Sequence, residues 1–188
     1  WRARPFHLEI MMEQITAELL MKCGLSRANL IYSGGGHCYL LLPNTEECRS
    51  GFDLYIGEVN QWLLDYFQTA LYIAGAYEPC SCFSLKNVPD GSYADIFRNL
   101  SARMSQRKSS RYTAEQIIRL NRGKAENYTR ECSVCRRIGR VNEDGICPVC
   151  DAMERLSQKV LYADFFTVIR EKQRELPLPG GYSLEADD

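Results

Sequence analysis

Cys132-x-x-Cys135 is followed, after eleven residues, by Cys147-x-x-Cys150. Two residues between thiolates let both sulfurs of a knuckle turn toward one ion. Two such knuckles close a tetrahedral site of four soft ligands, a set that suits zinc. Gly139, Gly145 and Pro148 supply the turns. Four thiolates leave no open coordination position, so the expected metal is structural and not catalytic. Residues 126–150 are poor in apolar groups, and the metal is expected to be needed for them to fold. Cys80-x-Cys82 has the wrong spacing for a knuckle and reads as a pair of ordinary buried thiols. Nine cysteines, an odd number with five of them scattered, do not make a disulfide framework; metal binding in a reducing compartment accounts for them better.

A second pattern is Tyr32-Ser33-Gly34-Gly35-Gly36-His37-Cys38-Tyr39-Leu40-Leu41-Leu42-Pro43. Three consecutive glycines let a backbone approach a ligand closely and offer it amide donors, as phosphate-binding turns do. The same residues also suit a plain tight hairpin turn. A third pattern is charge. Residues 98–140 carry 12 basic and 3 acidic groups, whereas the flanking stretches are both net acidic, so a whole-chain charge of −1 hides a basic middle. Arg103, Arg107, Lys108 and Arg111 are its candidate phosphate contacts, with Tyr112 and Tyr128 as bases' stacking partners. A solvated helix face is the competing reading. His7 reads as a packing residue.

The elements that must position these groups follow from periodicity. Leu8, Met11, Met12, Ile15, Leu19 and Cys23 fall at helical spacing, and Gly24 supplies a stop. Ala28 to Ser33 and His37 to Leu42 read as the two strands of a hairpin ended by Pro43. Thr45, Glu46 and Glu47 suit a helix start, with Phe52, Ile56, Val59, Leu63 and Phe67 on its buried face. Leu71 to Tyr77 reads as another strand. Ser92 with Asp95 is read as the cap of a helix buried along Ile96, Phe97, Leu100 and Met104. Thr113 with Gln116 is a capping-box pattern for a short helix. A last helix is expected from Ala152 to Arg170, and a strand at Tyr182 to Leu184. Helix, hairpin, helix, strand predicts an α+β fold: a ferredoxin-like sheet with helices on one face, lacking its opening strand, plus a small helical zinc-ribbon domain. No stretch approaches the ~18 apolar residues of a membrane helix. No secretory leader is visible, and the chain opens on Trp, so it is expected to be a piece of a longer protein.

The hairpin resembles that of palm-type nucleotidyl cyclases, in which two glycines precede two acidic residues. Gly34 and Gly35 correspond to those glycines, while Gly36 and His37 stand at the acidic positions. A carboxylate there would hold the metal ions that polarise phosphates. This hairpin has none, so it fits a nucleotide-binding surface and not a two-metal centre. Glu46 and Glu47 lie beyond Pro43 and are expected to be too distant. Together with Arg2-Ala3-Arg4, with Leu25-Ser26-Arg27-Ala28-Asn29-Leu30 and with the four-cysteine site, the chain resembles the large subunit of type III-A (Csm) CRISPR effector complexes from residue 2 to about residue 183.

The resemblance implies a first palm domain over residues 1–90 and a helical linker domain over 91–188, with the zinc site at 132–150. It also implies a parent that makes cyclic oligoadenylates from ATP with magnesium or manganese, and that degrades single-stranded DNA through an HD domain outside this chain. Ser33, Gly34, Gly35, Gly36 and His37 would touch the nucleotide, and a second palm of the same parent would supply the metals. This chain alone is then expected to be inactive. The implied partners are the other Csm subunits, guide RNA and target RNA, in the cytoplasm and without a membrane. Two rival readings stand beside this one: a free-standing zinc-ribbon nucleic-acid-binding protein, and a degenerate cyclase-like nucleotide sensor.

Overall fold

The computed structural model describes residues 3–122, 130–170 and 176–187; Arg2 and Tyr128, named above, lie outside the described residues. Two compact units emerge. The first combines residues 1–42 with 125–188, and the second is residues 43–124. This partition differs from a division at residue 90, and the reason is the apolar stripe of the first helix, which the C-terminal segment covers.

That helix, α1, spans Ala3–Lys22. His7, Met11, Ile15 and Leu19 recur every four residues on its buried face, with Leu20 beside them. It ends as Gly24 suggests. Gly24 takes a φ of 67°, Leu25 N–H reaches back to the Leu20 carbonyl and Gly24 N–H to that of Met21, a Schellman closure. The strands β1 (Leu30–Gly34) and β2 (His37–Leu40) then form an antiparallel hairpin. Asn29 pins its open end, exchanging main-chain and side-chain bonds with Leu41.

The C-terminal part of this unit departs from the expected long helix. The helix here, α6, is Pro148–Lys159, beginning earlier because Pro148 stands at its first position after Cys147 and so needs no amide partner. It also stops well before Arg170, because the β-branched and aromatic run Phe165–Ile169 forms a strand, β3. Leu176–Leu178 (β4) and Tyr182–Asp187 (β5) complete an antiparallel sheet of order β3-β5-β4, which includes the strand expected at 182–184. Leu156, Leu176, Leu178 and Leu184 are fully buried in this unit. The Phe6 ring meets Phe166 at 4.6 Å, and His7 Nε2–H donates to the Pro177 carbonyl oxygen at 3.4 Å.

The second unit holds α2 (Glu46–Phe67), α3 (Cys82–Leu85), α4 (Ser92–Ser109) and α5 (Ala114–Asn121). Thr45 caps α2 by accepting the Cys48 N–H, and Phe52, Tyr55, Val59, Leu63, Leu64 and Phe67 are its buried face. Ile56, expected in that stripe, is only half-buried. Leu71 to Tyr77 is not a strand: no described segment pairs with it, and the Asn60 side chain meets Ile73 instead. Ser92 does not cap α4 either. Gly91 occupies the cap, and the Asn87 side-chain oxygen Oδ1 accepts from the N–H groups of Gly91 and Tyr93. The Thr113–Gln116 capping box has both of its bonds. The class is α+β, with small antiparallel sheets and helices, as expected. Among the described residues, no helix is long and apolar enough to cross a membrane.

Candidate metal centre and glycine hairpin

The four cysteines of the double knuckle meet. Their Sγ atoms lie within 4.8 Å of one another, and Cys135 and Cys147 sulfurs are 3.8 Å apart. Sulfurs at the corners of a tetrahedron around a zinc-sized ion would be about 3.8 Å apart. The backbone explains how. Arg136, at a φ of 62°, turns the first knuckle so that its N–H returns to the Cys132 carbonyl. Gly145, at a φ of 75°, turns the approach to the second, where the Asn142 side chain accepts the Ile146 N–H. Cys147 then caps α6, which places Cys150 in the first helical turn.

The electrostatics favour a cation. Burial pushes the Cys132 thiol up, but the N–H groups of Cys135, Cys147 and Val134 overcome it and bring the thiol down to about 6. Burial likewise opposes ionisation of Cys135, and Arg137, donating from Nε to its sulfur at 3.4 Å, outweighs that and lowers it. Cys147 and Cys150 are held above the ordinary thiol value, by burial first and for Cys150 also by the neighbouring sulfurs. Four thiols this close cannot all ionise against one another, and a thiophilic dication removes the conflict. Distances and donors therefore fit a closed four-sulfur metal site. Arg137 is the residue that spacing alone did not single out; its place two residues after Cys135 was the available signal. Cys80 and Cys82 take no part and are exposed rather than buried, on either side of Ser81, whose side chain caps α3.

The glycine hairpin closes through a two-residue turn. Gly34 pairs with His37, and Gly35 and Gly36 between them have φ of 59° and 76°. Two positive φ values make this a type I′ turn, which matches the twist of the strands and is strained for side chains. A Cβ on either glycine would meet no atom within 4 Å, so the turn is open. His37 Nδ1–H donates to the Gly35 carbonyl oxygen at 3.0 Å. The five expected nucleotide contacts are thus together at one tip, but Ser33 shares the Cys38 side of the hairpin while Gly34 and His37 share the other.

The basic stretch of the second unit is largely engaged. Arg103 pairs with Glu78 at 2.8 Å, Arg107 with Asp53 at 3.2 Å and Arg119 with Asp65 at 3.5 Å. The Arg111 guanidinium lies 5.8 Å from the centre of the Tyr72 ring, and Tyr112 packs edge-on against that ring with its hydroxyl buried. Tyr112 is therefore not placed to stack on bases. Lys108 is exposed.

Comparison with known proteins bears on all of this. The family model for Csm1 subunit domain B matches residues 1–123. The CRISPR system single-strand-specific deoxyribonuclease Cas10/Csm1 (subtype III-A) of Mycobacterium tuberculosis is 38% identical over 200 residues, covering 97% of this chain and 25% of that protein. Solved Csm1–Csm4 cassettes in complex with one ATP and with cA4 are each 28% identical, with a TM-score of 0.54 over 58% of this chain and 15% of theirs. The Csm1–Csm4 subcomplex of a type III-A CRISPR-Csm interference complex shares the fold over 99% of this chain and 22% of its own, at a TM-score of 0.66 and 18% identity. The chain spans about a quarter of the length of the curated relatives it matches. With its matched stretch running through the glycine hairpin and the basic helix, the chain belongs to the Csm1 subunit family of type III-A CRISPR systems.

Proposed function

We propose that this chain is the nucleotide-binding, metal-stapled part of the large signalling subunit of a type III-A CRISPR effector complex. Residues 1–90 contribute to a first palm and residues 91–188 to a linker domain. The hairpin tip at Ser33, Gly34, Gly35, Gly36 and His37 cradles one ATP. A second palm of the same parent supplies the carboxylates for magnesium or manganese, and the pair makes cyclic oligoadenylate. The observation that carries this reading is an open turn whose two glycines expose amides and which holds no carboxylate, in a chain of this family. Turn amides of this kind suit phosphate oxygens, while phosphoryl transfer itself needs metal-binding groups that the tip lacks.

The ion of the four-cysteine site is zinc, held by Cys132, Cys135, Cys147 and Cys150 as a structural staple. The parent works in the cytoplasm with the other Csm subunits, guide RNA and target RNA, and cuts single-stranded DNA through a domain outside this chain. Phosphate contact on the basic helix falls to Lys108 and, through its exposed edge, Arg111. Arg103 and Arg107 would first have to leave Glu78 and Asp53.

The test is Gly35→Val in the full-length subunit within its complex. Oligoadenylate synthesis from ATP should fall at least tenfold while cleavage of single-stranded DNA persists. Full synthesis in that variant would leave the hairpin a tight turn and nothing more.

A further inference from the structure

The register of the hairpin sorts its side chains. Tyr32 pairs with Tyr39 and Gly34 with His37, so these four share one face. Ser33 and Cys38 share the other, where the Cys38 sulfur accepts from the Thr16 hydroxyl of α1 at 3.6 Å. The Tyr32 face is thus turned away from α1, and both tyrosines are exposed, at 52% and 38%. Their ring centroids are 6.1 Å apart with planes tilted by 43°. Tyr32 leans toward the tip: a Cβ on Gly34 would lie 3.0 Å from its hydroxyl oxygen. The bare glycine leaves room for that ring.

His37 completes the face. A carbonyl oxygen can only accept, so the 3.0 Å contact with Gly35 fixes the proton of the neutral imidazole on Nδ1. Nε2 is then a lone-pair acceptor on the same face as the two phenol rings. Aromatic surface beside an imidazole acceptor selects a flat ligand that carries a hydrogen-bond donor.

We propose that this face reads the base of the nucleotide: a 6-aminopurine lies on the Tyr32–Tyr39 pair and donates its exocyclic amine to Nε2 of His37. This rests on the nucleotide reading of the hairpin given above. Residues two apart on a strand are separated by about 7 Å, so the tyrosines and the Gly35–Gly36 amides can hold opposite ends of one nucleotide. A 6-oxopurine would instead turn a carbonyl oxygen toward the Nε2 lone pair, and two acceptors cannot bond. His37 is therefore a specificity residue for adenine over hypoxanthine.

The experiment uses the full-length subunit and 8-azido-ATP as a photoprobe. Trypsin releases the hairpin between Arg27 and Arg49, so labelling of this site is read on one peptide even when the protein holds nucleotide elsewhere. ATP should suppress that label at about one tenth of the concentration needed with inosine triphosphate. His37→Ala should bring the two concentrations to within about twofold, and His37→Gln, whose amide oxygen also accepts, should restore part of the difference. Tyr32→Leu should weaken labelling without altering the ratio. Equal competition by the two nucleotides in the unaltered protein, or discrimination that survives His37→Ala, overturns the base-reading assignment. Labelling of other peptides with none on this one overturns the nucleotide reading itself.

Discussion

Asn60 stands in for a missing strand beside Ile73. Its side-chain oxygen accepts the Ile73 N–H and its amide nitrogen donates to the Ile73 carbonyl oxygen, each at 2.9 Å. One amide side chain thus satisfies both main-chain groups of an extended residue, as a paired strand would. The neighbouring Gly75 presses onto the same helix, where a Cβ would lie 2.8 Å from the edge of the Phe52 ring.

Asn60→Leu should orphan both Ile73 groups at once and destabilise the second unit by about 1–3 kcal/mol. Urea unfolding followed by Trp62 fluorescence measures it. A midpoint equal to that of the unaltered chain would mean that water replaces the amide at no cost.

The four-cysteine site should carry one zinc per chain by elemental analysis. Cys132→Ser should unfold the knuckle segment and loosen α6 while the helices of residues 43–124 keep their protection from hydrogen exchange, since those residues have their own core. Arg137→Gln removes the positive donor to the Cys135 sulfur and should speed zinc loss to a chromogenic chelator by roughly tenfold, with Arg137→Lys intermediate.

Stability should fall on acidification through His7. Burial holds its folded-state pKa below the ordinary 6.5, and the bond to Pro177 only partly offsets that. The unfolded chain therefore takes up the proton first as pH drops. The contribution is complete above pH 6.5 and is lost between 6.5 and the lower folded value. Thermal melts of the unaltered chain and of His7→Gln at pH 7.5 and 5.5 should differ in slope, with the variant flatter. Parallel shifts would remove His7 as the cause.

Nucleic-acid affinity should respond unequally along α4. Lys108→Ala should lower the log–log salt slope by about 0.9 if it meets a duplex phosphate. Arg103→Ala should chiefly loosen the helix, because Glu78, whose side chain is only 14% exposed, loses its ion-pair partner and keeps only the Asn99 amide. A slope that ignores Lys108 returns the whole stretch to a solvated face.

Local signals were the legible ones. The knuckle spacing, the glycine turn, the Thr45 cap and the Thr113–Gln116 box depend on residues a few positions apart, and each has the predicted bonds or proximity. The errors have long-range or competing causes. Leu71 to Tyr77 has strand composition but found a side chain rather than a strand. Gly91 took the cap position in place of Ser92, and a turn brought the Asn87 side-chain oxygen within reach of two amides there. The helical spacing of Leu156, Val160 and Ala163 runs on into Phe165–Ile169, where β-branched and aromatic residues met a partner strand at Ser183–Asp187. His7 looked unattached since its partner lies 170 positions away.

That last separation sets an order of events on the ribosome. Residues 43–124 form a contiguous unit and can close as soon as they emerge. α1, made before them, must wait for part of its cover: α6 and the Pro179–Gly181 turn, both packed against it, are synthesised only after residues 43–124. Throughout translation of the intervening stretch α1 keeps part of its apolar stripe uncovered and open to a chaperone, and metal capture by the cysteines comes just before its relief.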